Sequence, residues 1–231
     1  MKKIAVIPAR GGSKRIPRKN KKLFYGIPMI ARAIEIAKKS ELFDQIIVST
    51  DDENIADISR DHGAHTPFIR PSCLSDDYAG TAPVIAHAIS ELMKDNLVIE
   101  DVCCIYPCVP LLMSQDLILA YDIFLKSNSD FVFPVVEYSH PIQRGFRLGL
   151  DGAIDFLFPE HEMSRTQDLE PIYHDAGQFY WGKAKSWLSG KKMHSDGVGM
   201  VIPSWRVVDI DNEHDWQRAE LLYKALGIKS N

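Results

Sequence analysis

The chain has 231 residues, 45% hydrophobic and 25% charged, with a formal net charge of −4 and a sequence pI of about 6.1. That length suits one sizeable α/β domain spanning 1–231, and the acidic balance argues against a nucleic-acid partner. Three of the four cysteines (Cys103, Cys104, Cys108) crowd one apolar run, a grouping unlike a disulfide framework or a metal knuckle. With no signal-peptide h-region and no apolar run near the roughly 20 residues of a membrane span, a cytoplasmic protein without a membrane partner is expected.

The first element is an apolar run at residues 4–7 with the composition of a buried parallel strand, broken at Pro8. A basic, Gly-rich loop follows. Nine Lys or Arg residues fall within the first 22 positions and no acid precedes Glu35, so the positive charge is local. Gly11 and Gly12 allow φ > 0 and close backbone approach, so that successive N–H groups can form an anion nest, with Arg10, Ser13, Lys14 and Lys19 adding donors. A phosphate cradle at a strand's C-terminal end is the functional reading, and a solvated basic terminus is the bland one. Neither the Walker A spacing nor the dinucleotide fingerprint is present.

Residues 29–39 carry Ile30, Ala33, Ile34 and Ala37 on one helical face, with Pro28 suited to the first turn. A second buried strand is expected over 44–50, then a short helix ending near Gly63, with Asp51 and Asp52 as capping residues. Residues 66–69 read as a short strand, and 70–81 as a polar loop before a helix at 83–93. Thr81 is a candidate N-cap for that helix. Strands are expected at 102–106 and 131–136 with a helix between them at 115–126. This alternation predicts a three-layer α/β/α architecture around a mostly parallel sheet.

From Glu137 the rhythm changes, and 145–158 has the alternation and Asp-Gly turn of a hairpin within an insertion at 137–175. Phe179, Tyr180 and Trp181 read either as strand core or as a sugar-stacking surface. Near the C-terminus, a strand's period of two would point Asp209 and Asp211 the same way, as a seat for one hard cation. The alternative is a helix start, since Asn212 and Asp215 have capping spacing before a helix reaching about Leu226.

The run from Pro8 to Asn20 resembles the Pro-Ala-Arg-x-x-Ser-Lys-x-x-x-x-Lys-Asn loop of the CMP-acylneuraminate synthetases, cytidylyltransferases that activate nine-carbon nonulosonic acids. The resemblance extends along nearly the whole chain. It implies a Rossmann-like nucleotidyltransferase in which Arg10, Gly11, Gly12, Ser13, Lys14, Lys19 and Asn20 meet CTP, with Arg70 and Thr81 near the cytosine and ribose. It further implies Mg²⁺ on Asp209 and Asp211, which with Arg10 and Lys19 form the catalytic set. The segment 137–175 would be an arm that packs on a second subunit, making a homodimer.

Arg165 and Gln167 fall on the family's Arg-x-Gln-Asp-Leu positions, with Arg165 the candidate for the sugar carboxylate. Departures from the usual pattern at Tyr106 and at His174-Asp175, with Gln178 and Tyr180 behind them, are similar to members that act on pseudaminic acid, and the resemblance implies a sugar site of Tyr106, Arg165, Gln167, His174, Gln178 and Tyr180. CMP transfer from CTP to that sugar, releasing pyrophosphate for surface-glycan or glycoprotein modification, is therefore expected. The alternatives are an N-acetylneuraminate enzyme, one for a shorter ulosonic acid or a sugar phosphate, and a nucleotide-binding regulator without turnover.

Overall fold

The structure, a computed structural model, describes residues 1–227. Strand β1 (Lys2–Pro8) alternates its burial between two cores: Ala5 and Ile7 face one side of the sheet, Ile4 and Val6 the other. That two-sided burial is why the run reads as continuously apolar. After the basic loop, the two-residue strands β2 (Leu23–Phe24) and β3 (Ile27–Pro28) make a tight turn into helix α1 (Met29–Lys39), the span its periodicity predicts. Strand β4 (Gln45–Ser49) pairs in parallel with β1, and helix α2 (Glu53–Asp61) follows. Residues 66–69 do not form the expected strand. In that region only His65 bridges Ile47, because the chain leaves the edge of β4 after a single pairing.

Helix α3 (Thr81–Met93) begins two residues earlier than expected, with Gly80 rather than Thr81 at the N-cap position. It leads to β5 (Ile99–Ile105), α4 (Ser114–Ser127) and β6 (Phe131–Glu137). The segment beyond β6 carries the antiparallel hairpin of β7 (Phe146–Leu148) and β8 (Ile154–Phe156), whose turn holds Gly152 at φ 83°. Glycine is suited to that left-handed position. Phe146, Leu148, Leu150 and Ile154 on this hairpin are exposed. The chain returns through β9 (Tyr173–Asp175), β10 (Phe179–Lys183), α5 (Ala184–Leu188), β11 (Gly197–Val201) and α6 (Glu213–Ala225).

The main sheet has the order β11-β6-β10-β5-β1-β4, with β9 added to β6. Strands β4, β1, β5, β6 and β11 run one way, while β10 runs antiparallel between β5 and β6. Helices α1 and α4 cover one face and α3 and α5 the other, giving the expected three layers around a mostly parallel sheet. The aromatic run on β10 is core: Phe179 and Trp181 pack toward α4, Tyr180 toward α3 and α5, and all three are at most 3% exposed. A sugar-stacking role for any of them is therefore set aside. A third cluster joins Ile16 of the basic loop and Phe24 to Ile210, Trp216, Ala219 and Tyr223, clamping α6 beside the loop.

Candidate active site

Adjacent parallel strands end on the same edge, so the loops after β1, β4 and β5 converge there. The basic loop is pinned from within. Ile16, 2% exposed among its charged neighbours, buries in the third cluster. The Asn20 amide donates to the Arg10 carbonyl (2.9 Å) and accepts from the Cys108 thiol (3.4 Å). Burial pushes that thiol up to about 12, so it stays protonated.

Gly11 does not use φ > 0; the positive-φ residue of the loop is Arg18. What Gly11 supplies is space, since a Cβ there would lie 2.7 Å from Asp52 Oδ2 and 2.8 Å from Asp52 Cβ. Its N–H, expected to face phosphate, donates instead to Asp51 (2.9 Å). Asp52 caps α2 as expected, accepting from the Ile55 N–H, and also pairs with Lys21 (2.7 Å). Asp51 is no cap. It braces the glycine and stands 3.8 Å from the buried Arg70 guanidinium, whose pKa burial lowers. The chain separation of about 40 residues concealed this role; the pairing of β4 beside β1 produces it.

Above the loop lies a cavity of about 690 Å³. Arg10, Ser13, Lys14, Lys19 and Asn20 of the basic loop line it, together with Arg70, Thr81 and Tyr106. Thr81, freed from capping, shares a 2.6 Å hydrogen bond with the Tyr106 hydroxyl. Asp76 and Asp77, not picked out from the sequence, close the mouth. Asp77 pairs with Arg10 (2.7 Å) and Lys14 (2.5 Å), and Arg10 also donates to the Asp76 carbonyl (2.9 Å). An internal carboxylate thus occupies the cationic groups where an anionic ligand would bind.

Asp209 lines the same cavity, on the stretch before α6. The strand expected there is absent, because one 3-10 turn (Ser204–Arg206) carries the chain away from the sheet. Only Asp209 of the pair lines the cavity, and Asp211 lies close enough to act on its charge. Ile210 is buried against Ile16 and Trp216, which leaves its neighbours Asp209 and Asp211 outside that core. Asn212 and Asp215 form the capping box of α6, so the helix-start reading accounts for them and leaves Asp209 and Asp211 uncommitted to capping.

The Lys19 ammonium donates to the Ile210 carbonyl (2.6 Å), between the two acids, and Arg15 pairs with Asp211 (2.6 Å). The cationic loop and the acidic pair therefore meet at one rim. Burial and the adjacent Asp211 carboxylate push the Asp209 carboxyl above its usual range, against the pull of Lys19 and Arg15. Two acids incompletely neutralised, offering oxygen donors only, fit a hard divalent cation. Among the described residues no cluster of three or more metal-binding side chains occurs, so phosphate oxygens and water would complete such a shell.

A second cavity of about 620 Å³ shares Gly177, Val208 and Asp209 with the first and extends toward β6 and β9. His174 lines it, as does Asp175, which accepts hydrogen bonds from Tyr180 (2.6 Å) and His194 (2.7 Å). Of the other residues expected to bind sugar, Tyr106 lines the first cavity and not the second, and the rest line neither. Gln178 is buried and donates to the Arg206 carbonyl, and Tyr180 is core with only its hydroxyl directed to Asp175. Arg165 and Gln167 are exposed and line neither cavity, Arg165 being held by Asp168 (2.7 Å).

A doubly covered α/β sheet that presents cationic and acidic groups at one strand-end rim defines a nucleotide-binding α/β enzyme. More narrowly, the chain belongs to the cytidylyltransferase family, whose model matches residues 4–180. It is 44% identical over 228 residues to a pseudaminic acid cytidylyltransferase of Campylobacter jejuni, covering 97% of both chains. Against a CMP-N,N'-diacetyllegionaminic acid synthase of Legionella pneumophila the identity is 30%, over 96% of both. In fold it is similar to a CMP:2-keto-3-deoxy-manno-octonic acid synthetase complexed with CTP, with a TM-score of 0.71 at 14% identity, covering 98% of this chain and 100% of that one. Among the described residues no helix is long and apolar enough to cross a membrane.

Proposed function

We propose that the protein transfers CMP from CTP to the anomeric hydroxyl of pseudaminic acid, releasing pyrophosphate. The observation that carries this reading is the pair of cavities joined at Asp209, one walled by the basic loop and the other by polar and aromatic groups. A nucleotide triphosphate in the first and an acid sugar in the second would place the attacking oxygen and the α-phosphorus at their shared wall. The identity with the Campylobacter jejuni relative supports pseudaminic acid as the acceptor.

In this mechanism Arg10, Lys14 and Lys19 hold the β- and γ-phosphates and take up the charge that grows on departing pyrophosphate. Arg70, Thr81 and Tyr106 orient the nucleoside end. The sugar hydroxyl oxygen bonds to the α-phosphorus, losing its proton to solvent, as the bridge to the β-phosphate breaks and pyrophosphate departs, so positioning supplies much of the barrier reduction. Asp209 and Asp211 are the residues that would hold Mg²⁺, which supplies Lewis-acid stabilisation of phosphoryl oxygens. The exposed apolar hairpin of β7 and β8 supports a homodimer, in which Arg165 of the arm would reach a neighbouring subunit's sugar site.

The test offers purified protein, CTP and Mg²⁺ either pseudaminic acid or N-acetylneuraminic acid. A higher kcat/KM for pseudaminic acid is expected. The reverse preference would make it a sialate enzyme, and CTP binding without pyrophosphate release from any acceptor would make it a regulator.

A further inference from the structure

Asp175, on the wall of the second cavity, has its carboxylate held by three donors. The Gly177 N–H donates to Oδ1 (2.8 Å), while the Tyr180 hydroxyl (2.6 Å) and His194 Nε2 (2.7 Å) both donate to Oδ2. Gly177, at φ 61°, lines both cavities, so the same carboxylate fixes the turn at their junction. An ionised carboxylate has about four acceptor sites, and these donors take all but the last, on Oδ1. That site is left for a donor on a ligand.

Two of the donors are local. Gly177 and Tyr180 follow Asp175 closely in the chain, and the Tyr180 ring is core, 5.7 Å from the Phe133 ring and 5.5 Å from that of Tyr106. Burial raises the Tyr180 phenol, so it keeps its proton and remains a donor. His194 comes from elsewhere, on the connection between α5 and β11, none of whose residues lines either cavity. Its side chain is 61% exposed and meets the Phe133 ring edge-on at 5.2 Å. This exposed histidine therefore acts on the cavity from behind its wall. With the local donors alone, Asp175 would be braced from one segment only and its carboxylate could swing.

We propose that His194 is a positioning residue for the acceptor: it holds Asp175 so that the open Oδ1 site takes an N–H or O–H group of the sugar. This rests on the acceptor reading given above. A carboxylate held in this way accepts and cannot donate, so it favours a sugar with an amide N–H or a hydroxyl at that point over one with a carbonyl there. His194 touches nothing in the cavity assigned to CTP, so its effect falls on the sugar alone.

The test compares wild type, His194→Phe and His194→Gln, following pyrophosphate release with pseudaminic acid, CTP and Mg²⁺. Phenylalanine keeps the ring against Phe133 and removes the donor; glutamine offers an amide N–H in place of Nε2. For His194→Phe the sugar KM should rise about tenfold, the scale of a hydrogen bond to a charged group, with the CTP KM within about twofold of wild type. His194→Gln should recover most of that loss, which a merely structural role would not produce. A sugar KM unmoved in His194→Phe, an equal rise in both KM values, or a loss that glutamine does not recover would overturn the role of His194. Turnover of pseudaminic acid by the wild type would leave the acceptor reading standing in each of those cases. Failure of the wild type to turn over any nonulosonic acid would overturn both.

Discussion

Lys19→Met tests whether the rim works as a unit. The Lys19 ammonium is half-buried, 2.6 Å from the Ile210 carbonyl, on the cavity wall it shares with Asp209. At such a wall, unit charges about 4 Å apart interact by about 4 kcal/mol with an effective dielectric near 20. Arg10 and Lys14 share the phosphate load, which lowers the cost of losing one cation. Removing a single preorganised donor to transition-state charge elsewhere costs about 2.7–4 kcal/mol. The expected loss is therefore about 3 kcal/mol, or about two orders of magnitude in kcat/KM. Methionine keeps the length and apolar stem but leaves the carbonyl of buried Ile210 without its donor, a loss of about 1–3 kcal/mol that a melting curve reads separately from activity. Pyrophosphate release at saturating sugar gives kcat and KM for CTP, and calorimetry gives CTP affinity directly. A loss below about tenfold with the fold intact would refute the placing of Lys19 on the reacting phosphates.

Asp77→Asn should lower the KM for CTP, because the carboxylate that occupies Arg10 and Lys14 is neutralised; an unchanged or higher KM would reject that competition. Lys14 and Arg10 hold the Asp77 carboxyl below its usual range. The contact should therefore persist above the ordinary aspartate pKa and be lost as pH falls through the lowered one, which carboxyl chemical shifts can follow. Asp116→Ala strands Arg206, whose bidentate pair (2.8 and 3.0 Å) has side chains only 11% and 6% exposed. Breaking it should cost about 3–5 kcal/mol, read from the urea midpoint. Leu148→Glu on the hairpin should convert a dimer to a monomer in light scattering if that surface joins subunits, and should leave the mass unchanged if it does not.

The parts of the molecule most legible in the sequence are those set by local pattern. Helix α1 follows from Ile30, Ala33, Ile34 and Ala37, and the hairpin from its Asp151-Gly152 turn. The basic loop could be located from charge and glycine, yet its internal bracing could not. Asp51 and Asp77 reach it from neighbouring loops that only the sheet order brings close. Asp209 and Asp211 are singled out by a strand period, yet no strand forms there; burial of Ile210 keeps both outside the core, and only Asp209 lines the cavity. Tyr180 and Gln178 misled because aromatic and amide side chains look alike in core and in sugar sites; only the position of β10 between two strands separates the roles.

That position bears on how the protein is made. Strands β5 and β6 are 25 residues apart in the chain by their facing ends, yet they are bridged by β10, which arrives about 40 residues later. A nascent polypeptide ending before residue 179 would leave the inner edges of both strands with unanswered backbone donors and acceptors, a template for mispairing. Synthesis must therefore run past Lys183 before the two halves of the sheet can be zipped together, and fragments cut ahead of that point should be recovered as aggregates.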